Sequence, residues 1–281
     1  MKRQRVEKIG EILSFVAAAV VVIPIFLVIF FILINGIQAI SWEFLSQPPR
    51  NGMTEGGIWP AILGTILLTI GTAIVVMPFG IGAAIYLAEY AGDNWFTKAI
   101  HMAIVNLAGI PSIVYGLFGL GAFVLFFDFG TSIIAGALTL GLMSLPIIIS
   151  TSEEAILSVP REFRIVSRSL GATHWQTVRY VVLPNATPGI ITGVILGLVR
   201  AAGETAPILF TVAAFYLPEL PRSIFDQTMA LPYHLYVIST QVPGMPLQTQ
   251  YGTALVLLLM VLSFTVVAAV IRAFMRRRRE W

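Results

Sequence analysis

Cysteine is absent from this 281-residue chain, which excludes a disulfide framework, a thiol nucleophile and thiolate metal ligation. Charge is scarce too. Asp, Glu, Lys and Arg make up 11% of residues, against about 25% in an ordinary soluble domain, while 57% are hydrophobic. A chain so poor in charge along its whole length has lipid as the solvent for most of its surface. The three histidines, His101, His174 and His234, are scattered, which argues against a histidine metal cluster. No G-x-x-x-x-G-K-[ST] run exists and lysine is rare, so the chain does not hydrolyse ATP through a P-loop. Paired carboxylates in different spans and Ser–His arrangements are also missing, leaving an intramembrane enzyme without support.

What the chain has in quantity is long apolar runs. Six of them, at 12–34, 59–88, 96–127, 131–150, 188–217 and 252–274, are near or above the roughly 20 residues that cross a bilayer. They lack the short alternating pattern of barrel strands, so the expected class is all-α and polytopic, with six transmembrane helices. Lys2, Arg3, Arg5 and Lys8 precede the first run, as in a secretory signal. That run is too long for a signal core and has no clear small-residue cleavage site, so it reads as a retained helix.

Seventeen basic residues fix the expected orientation. Fourteen fall at 2–8, at Lys98, at 161–179 and at 272–279; Arg50, Arg222 and Arg200 are the others. Both ends facing the cytoplasm puts the fourteen inside, as the positive-inside bias requires. The chain then reads as a single transmembrane domain, 1–281, containing an N-terminal helix at 12–34, a core at about 59–275 and a cytoplasmic projection at about 153–187.

Three connections stand out. Residues 35–58 are turn material with room for a short surface helix. Residues 217–251, rich in proline, hold either a short re-entrant or interfacial piece around 229–238 or an ordinary connector. In the projection, Ser158 is read as an N-cap, with Pro160 and Glu162 in a first turn. Gly171 breaks the pattern, and Trp175, Val178 and Val182 resume helical spacing until Pro184. Its basic residues Arg161, Arg164, Arg168 and Arg179 suit anionic headgroups and a soluble partner equally well.

Arg200 and Glu204 then stand four apart in an apolar segment, roughly at its middle if the span is counted as 188–217. An Arg at bilayer centre costs about 2.5–3.5 kcal/mol on insertion scales, so it must face protein or a wet route. It is either an internal ion pair or a waypoint for a charged solute. The planar fork of five donors suits a tetrahedral oxyanion better than a cation. Gly193, Gly197 and Gly203 keep the neighbouring surface small, and Pro207 is placed to kink the helix.

These residues carry a resemblance. "IVSRSLGATHWQTVRYVVLP" (165–184) is similar to the coupling motif of membrane subunits of ATP-binding-cassette importers, with Gly171-Ala172, Trp175-Gln176 and Leu183-Pro184 in register. The motif usually opens with Glu six residues before the glycine. Ile165 stands there instead, and the nearest acid is Glu162. "RAAGETAPILF" (200–210), with "PFGIGAAIYLAEY" (78–90), "GIPSIVYGLFGL" (109–120) and "TLGLMSLPIIISTSEEAILSVP" (139–160), resembles the PstA-like second permease subunits of phosphate importers. These belong to the binding-protein-dependent transport inner-membrane component family.

The resemblance implies a type I importer permease fold and a bacterial inner-membrane location. It implies a non-catalytic subunit that conducts inorganic phosphate, another oxyanion or a non-transporting scaffold being the alternatives. No cofactor is expected, since ATP would be bound by partner subunits. The implied partners are a homologous second permease, two cytoplasmic ATPase subunits, an extracytoplasmic phosphate-binding protein and membrane lipid, with no nucleic acid. Arg200, Glu204 and Thr205 would line the translocation path. Glu162, Arg164, Arg168, Gly171, Ala172, Trp175, Leu183 and Pro184 would couple to the ATPase, with Arg164 and Arg168 substituting for the missing glutamate.

Overall fold

A computed structural model describes residues 2–277, without the side chains of 2–7, 9, 268 and 275–277. Arg278 and Arg279 of the C-terminal basic run therefore lie outside the described residues. Helix is nearly everything. Helix α1 (Lys2–Gly36) is followed by α2 (Trp42–Ser46), capped by the Ser41 hydroxyl on the Phe44 amide, and by a two-residue hairpin of β1 (Pro49–Arg50) with β2 (Glu55–Gly56). The long α3 (Trp59–Ile85) runs into a π-helical stretch, Tyr86–Tyr90.

Among the described residues, five helices are long and apolar enough to cross a membrane, namely Gly10–Ala39, Trp59–Tyr90, Ile133–Leu157, His174–Gly203 and Leu247–Phe274. The segment read from sequence as one span at 96–127 is broken. Helix α4 (Trp95–Ala108) and the pair formed by α5 (Ser112–Gly119) with a π-helical tail to Phe126 meet at 102°. Pro111 has no amide to donate, and Gly109 and Ile110 close the turn on Asn106 and Leu107 carbonyls. The Tyr115 hydroxyl then donates to the Leu107 carbonyl at 2.8 Å, tying the two halves together across the break.

The fifth span also departs from its expected bounds. Helix α6 (Ile133–Leu157) carries Pro146 without breaking and ends at Ser158, so Ser158 closes α6 instead of opening the next helix. Helix α7 (Arg161–Ser169) starts after Pro160, Gly171 takes φ +86°, and α8 (His174–Thr177) begins with a Thr173–Gln176 capping box. Helix α8 does not stop at Pro184. A π-helical stretch, Val178–Val182, widens the ladder ahead of the proline, and α9 (Leu183–Gly203) continues with Pro184 in its first turn. Short α10 (Ala206–Thr211), α11 (Leu231–Thr240) and α12 (Leu247–Arg277) follow.

Helices α3, α6 and α9 pack side by side and thread two cores. At the α7–α8 end the core is built from Val76, Ala84, Leu87, Ile148, Ile156, Val182, Ile190 and Val194. At the opposite end it contains Phe44, Leu68, Tyr115, Leu140, Ile208, Met229 and Leu231. A stripe on α9 sets the α6–α9 distance. A Cβ on Gly189, Gly193 or Gly197 would fall within 3 Å of Ala155, Thr151 or Ile148. Gly189 extends the stripe expected from Gly193 and Gly197. Gly203 is not part of it, having open space around it and serving only as the last helical residue. Helix α1 touches the rest chiefly at α12 and leaves its apolar side chains bare, as a lipid-facing helix does.

Candidate functional site

Two arginines on connected elements have opposite environments. Arg164, in α7, is saturated. Its Nε and Nη2 donate to Glu89 Oε1 at 3.0 and 2.6 Å, its Nη1 to the Val159 carbonyl at 2.6 Å, and its Nη2 also to the Ile156 carbonyl at 2.9 Å. The two side chains are 15% and 5% exposed. This guanidinium turns inward, rather than offering the outward contact expected of it from sequence.

Arg200 occupies the last turn of α9 and is 37% exposed. Its single hydrogen bond among the described residues runs from Nε to Glu204 Oε1, at 3.4 Å. That is longer than the 2.7–2.9 Å usual for a charge-assisted bond, so the pair is loose. Both Nη groups have no protein acceptor among the described residues. The helix has also ended between the partners, since Glu204 is extended at φ −80°, ψ 136°. The pair is thus not at mid-span. It lies at the end of α9 remote from α7 and α8, with Arg200 about 26 Å along the axis from Leu183.

The second broken segment meets the chain at this point. Thr205 links Glu204 to α10, and its carbonyl accepts from the Leu209 amide at 3.2 Å. Helix α5 lies directly against α10. A Cβ on Gly116 would fall 2.9 Å from the Ala206 carbonyl oxygen and 3.1 Å from Pro207 Cα. Pro207 opens α10 and does not kink a continuous helix. Discontinuous helices crossing beside an ionisable pair are a recurrent way to build an ion path, because freed backbone groups must line protein or water. Tyr115, buried in α5, was not singled out in the sequence; the run "GIPSIVYGLFGL" that contains it was.

The α7–α8 end presents a different surface. Leu170 is 83%, Ile165 63% and Trp175 52% exposed, with Val166 and Tyr180 beside them in exposure. Glu162 lies in the first turn of α7, exposed, as are Arg161 and Arg168. Gly171 and Ala172 form the turn, where the Ala172 amide donates to Ser167. Leu183 and Pro184 root the projection in α9. Val178 and Val182 point inward and are fully buried, so Trp175 does not share their face. The strip is apolar and rimmed by arginine, a composition that suits a protein partner as well as anionic headgroups.

Glu89 escaped the sequence reading altogether. The available signal was its place as the one acid in "PFGIGAAIYLAEY", followed by chain that turns back toward α4. Its backbone carbonyl lies 3.0 Å from His174 Nε2, while Arg168 Nη2 approaches His174 Nδ1 at 2.5 Å. Arginine only donates, so Nδ1 accepts and Nε2 carries the proton. Tyr90 packs edge-on to the same imidazole, with ring centroids 4.7 Å apart. Among the described residues no three His, Asp or Glu side chains gather in a metal-binding group.

Comparison with known proteins agrees with this architecture. The chain is 33% identical over 282 residues to "Probable ABC transporter permease protein YqgI" of Bacillus subtilis, covering 95% of each. It is 31% identical over 285 residues to "Phosphate transport system permease protein PstA 1" of Mycobacterium tuberculosis, covering all of this chain and 92% of the relative. A "Probable phosphate transport system permease protein PstA" of Methanocaldococcus jannaschii is 32% identical over 246 residues, 87% of this chain and 86% of that one. Among solved structures, a bacterial importer of alginate superposes with a TM-score of 0.63 at 12% identity, covering 99% of this chain and 98% of that one. The MetNI methionine transporter gives 0.61 at 17% identity, over 78% and 94%. Residues 77–281 match the family described as "Binding-protein-dependent transport system inner membrane component". This chain belongs to that family.

Proposed function

We propose that the chain is a permease subunit of an ATP-driven importer and that its solute is inorganic phosphate. The observation that carries the reading is the open fork of Arg200. A cation at the end of a membrane helix is held by one loose contact to Glu204, with both Nη groups turned to no protein acceptor. Such a group binds a tetrahedral oxyanion through parallel N–H donors. The names of the relatives from Mycobacterium and Methanocaldococcus supply the choice of phosphate among oxyanions.

Glu204 supports passage rather than storage. Arriving phosphate exchanges for the carboxylate at the guanidinium, and the carboxylate re-pairs as the anion leaves, so no uncompensated charge is stranded. A deep permanent site would retain its ion, whereas this partly exposed one binds and releases. Thr205 adds a hydroxyl at the break. The basic clusters favour an orientation with both termini and α7–α8 in the cytoplasm and the Arg200 end toward the outside.

The apolar strip of α7 and α8 is the surface on which an ATPase subunit would act, the ATP being bound there and not by this chain. A homologous permease would complete the path, and an extracytoplasmic binding protein would deliver phosphate to the 35–58 and 217–251 side. Alternation then transfers nucleotide-driven closure into movement of α3, α6 and α9 around Arg200.

Proteoliposomes holding the complete complex, with ATP inside and loaded binding protein outside, test the reading. Labelled phosphate accumulates, and Arg200→Ala abolishes the accumulation. Uptake of sulfate or molybdate without phosphate would overturn the substrate assignment.

A further inference from the structure

Glu89 and Arg164 form the best-formed ion pair in the described chain, and neither the charged pair near α10 nor the docking strip uses it. Its location gives it a task. Helix α7 has no buried residue of its own, and Phe163 alone packs partly against the neighbouring core. Apolar burial therefore holds α7 weakly against the rest. What ties it down is polar. Arg164 bridges from α7 to the carboxylate at the end of α3 and to two carbonyls at the end of α6. The Glu89 backbone in turn contacts His174 of α8.

Three elements are thus joined through one guanidinium whose Nε and both Nη groups are engaged. We infer that Glu89 is a positioning residue for energy coupling: through Arg164 it makes the α7–α8 element move as one body with α3, so that force applied to the docking strip reaches the membrane helices. This rests on the importer reading above and names the inward side of its coupling element. The acid lacking at position 165 would have faced outward, where exposed Ile165 stands; Glu89 meets the same helix from the opposite side.

The alternative is that the pair only stabilises the fold. Stabilisation would change the amount of assembled complex, whereas coupling changes the work obtained per nucleotide. The experiment is reconstitution of the complete complex with Glu89→Gln, Arg164→Lys, and the combined Glu89→Gln/Arg164→Lys variant. Co-purification of the ATPase subunits, ATP hydrolysis and phosphate uptake are measured on each. Glutamine keeps the shape and one acceptor but removes the charge. Lysine keeps charge but cannot span the carboxylate and both carbonyls.

Phosphate carried per ATP should drop about tenfold in Glu89→Gln, the scale of one lost charge-assisted bond, while hydrolysis persists in the assembled complex. Arg164→Lys should drop it severalfold, and the combined variant should cost less than the product of the two. An unchanged ratio in assembled Glu89→Gln overturns the inference. If Glu89→Gln fails to assemble, an unchanged ratio in Arg164→Lys overturns it, and a lowered one supports it. Failure of the unaltered complex to take up phosphate instead strikes the importer reading, which keeps the two failures apart.

Discussion

Arg200 Nε stands 3.4 Å from Glu204 Oε1 across the point where α9 stops, so the two face each other over a helix end and not along a helix face. An i, i+4 pair inside a regular helix would be held at fixed spacing by the ladder. Here the Glu204 backbone is extended, so no helical ladder fixes the carboxylate relative to the guanidinium on α9.

This arrangement predicts an asymmetry between the partners. Arg200→Lys, which keeps the charge and loses the fork, should lower phosphate uptake about 10- to 100-fold, the loss of one or two charge-assisted bonds. Glu204→Gln should leave the cation unbalanced, so phosphate binds more tightly and leaves more slowly. Its apparent KM and its maximal rate should then fall together. Uptake kinetics on both variants decide it, and a raised KM in Glu204→Gln would show that the carboxylate does not compete with the anion.

The exposed apolar strip of α7 and α8 predicts a different failure. Leu170 is the most exposed apolar side chain of the projection, and burial of a leucine is worth about 1.5–3 kcal/mol. Leu170→Asp should therefore weaken retention of ATPase subunits about tenfold or more, read by co-purification from membranes. Binding of the delivery protein at the other end should be unchanged. Retention at the unaltered level would mean that the strip faces lipid.

Much of this was legible in the sequence. Apolar run lengths gave the helical class, and Gly171 marked the turn it makes at φ +86°. A short helical piece around 229–238 was one option for that connection, and α11 at 231–240, packed against α3 and α12, is that helix. The rest needed three dimensions. Hydropathy reports that 96–127 is apolar but not that the chain turns through 102° at Pro111, since the two halves pass as one apolar run together. Pro184 read as a stop because a proline clashes in an α-ladder; a π-helical stretch before it relieves that clash. Arg164 looked like an outward cation because its only acidic partner is 75 residues away. No periodicity reports a contact of that separation.

Gly64 offers a test of the close approach between α3 and the segment leading into α11. A Cβ there would lie 1.9 Å from the Met229 carbonyl oxygen and 2.3 Å from Thr228 Oγ1, so backbone must shift. Gly64→Ala should cost about 1–3 kcal/mol and raise hydrogen exchange across 229–240. Gly82→Ala is the control, because a Cβ there meets nothing within 4 Å. It should be neutral or stabilise α3 by up to about 1 kcal/mol. Equal behaviour of the two variants would refute the close approach.

His234 lies on α11, which packs against α3 and α12. Only 3% exposed and with Nδ1 lacking a partner, its imidazole is held neutral by burial, which pushes its pKa down from the ordinary 6.5 to about 4. In the unfolded chain the same group protonates near 6.5. Between these values the unfolded state binds the extra proton and the folded state does not, so stability is full above about pH 6.5 and declines as pH falls toward 4. The whole effect amounts to about 3 kcal/mol and is spent below pH 4. Thermal midpoints of the purified complex at pH 7.5, 6 and 5 should fall accordingly. His234→Phe, which fills the site and cannot protonate, should flatten that part of the slope. An identical slope in the phenylalanine variant would assign the acid sensitivity to other groups and return α11 to a purely apolar packing account.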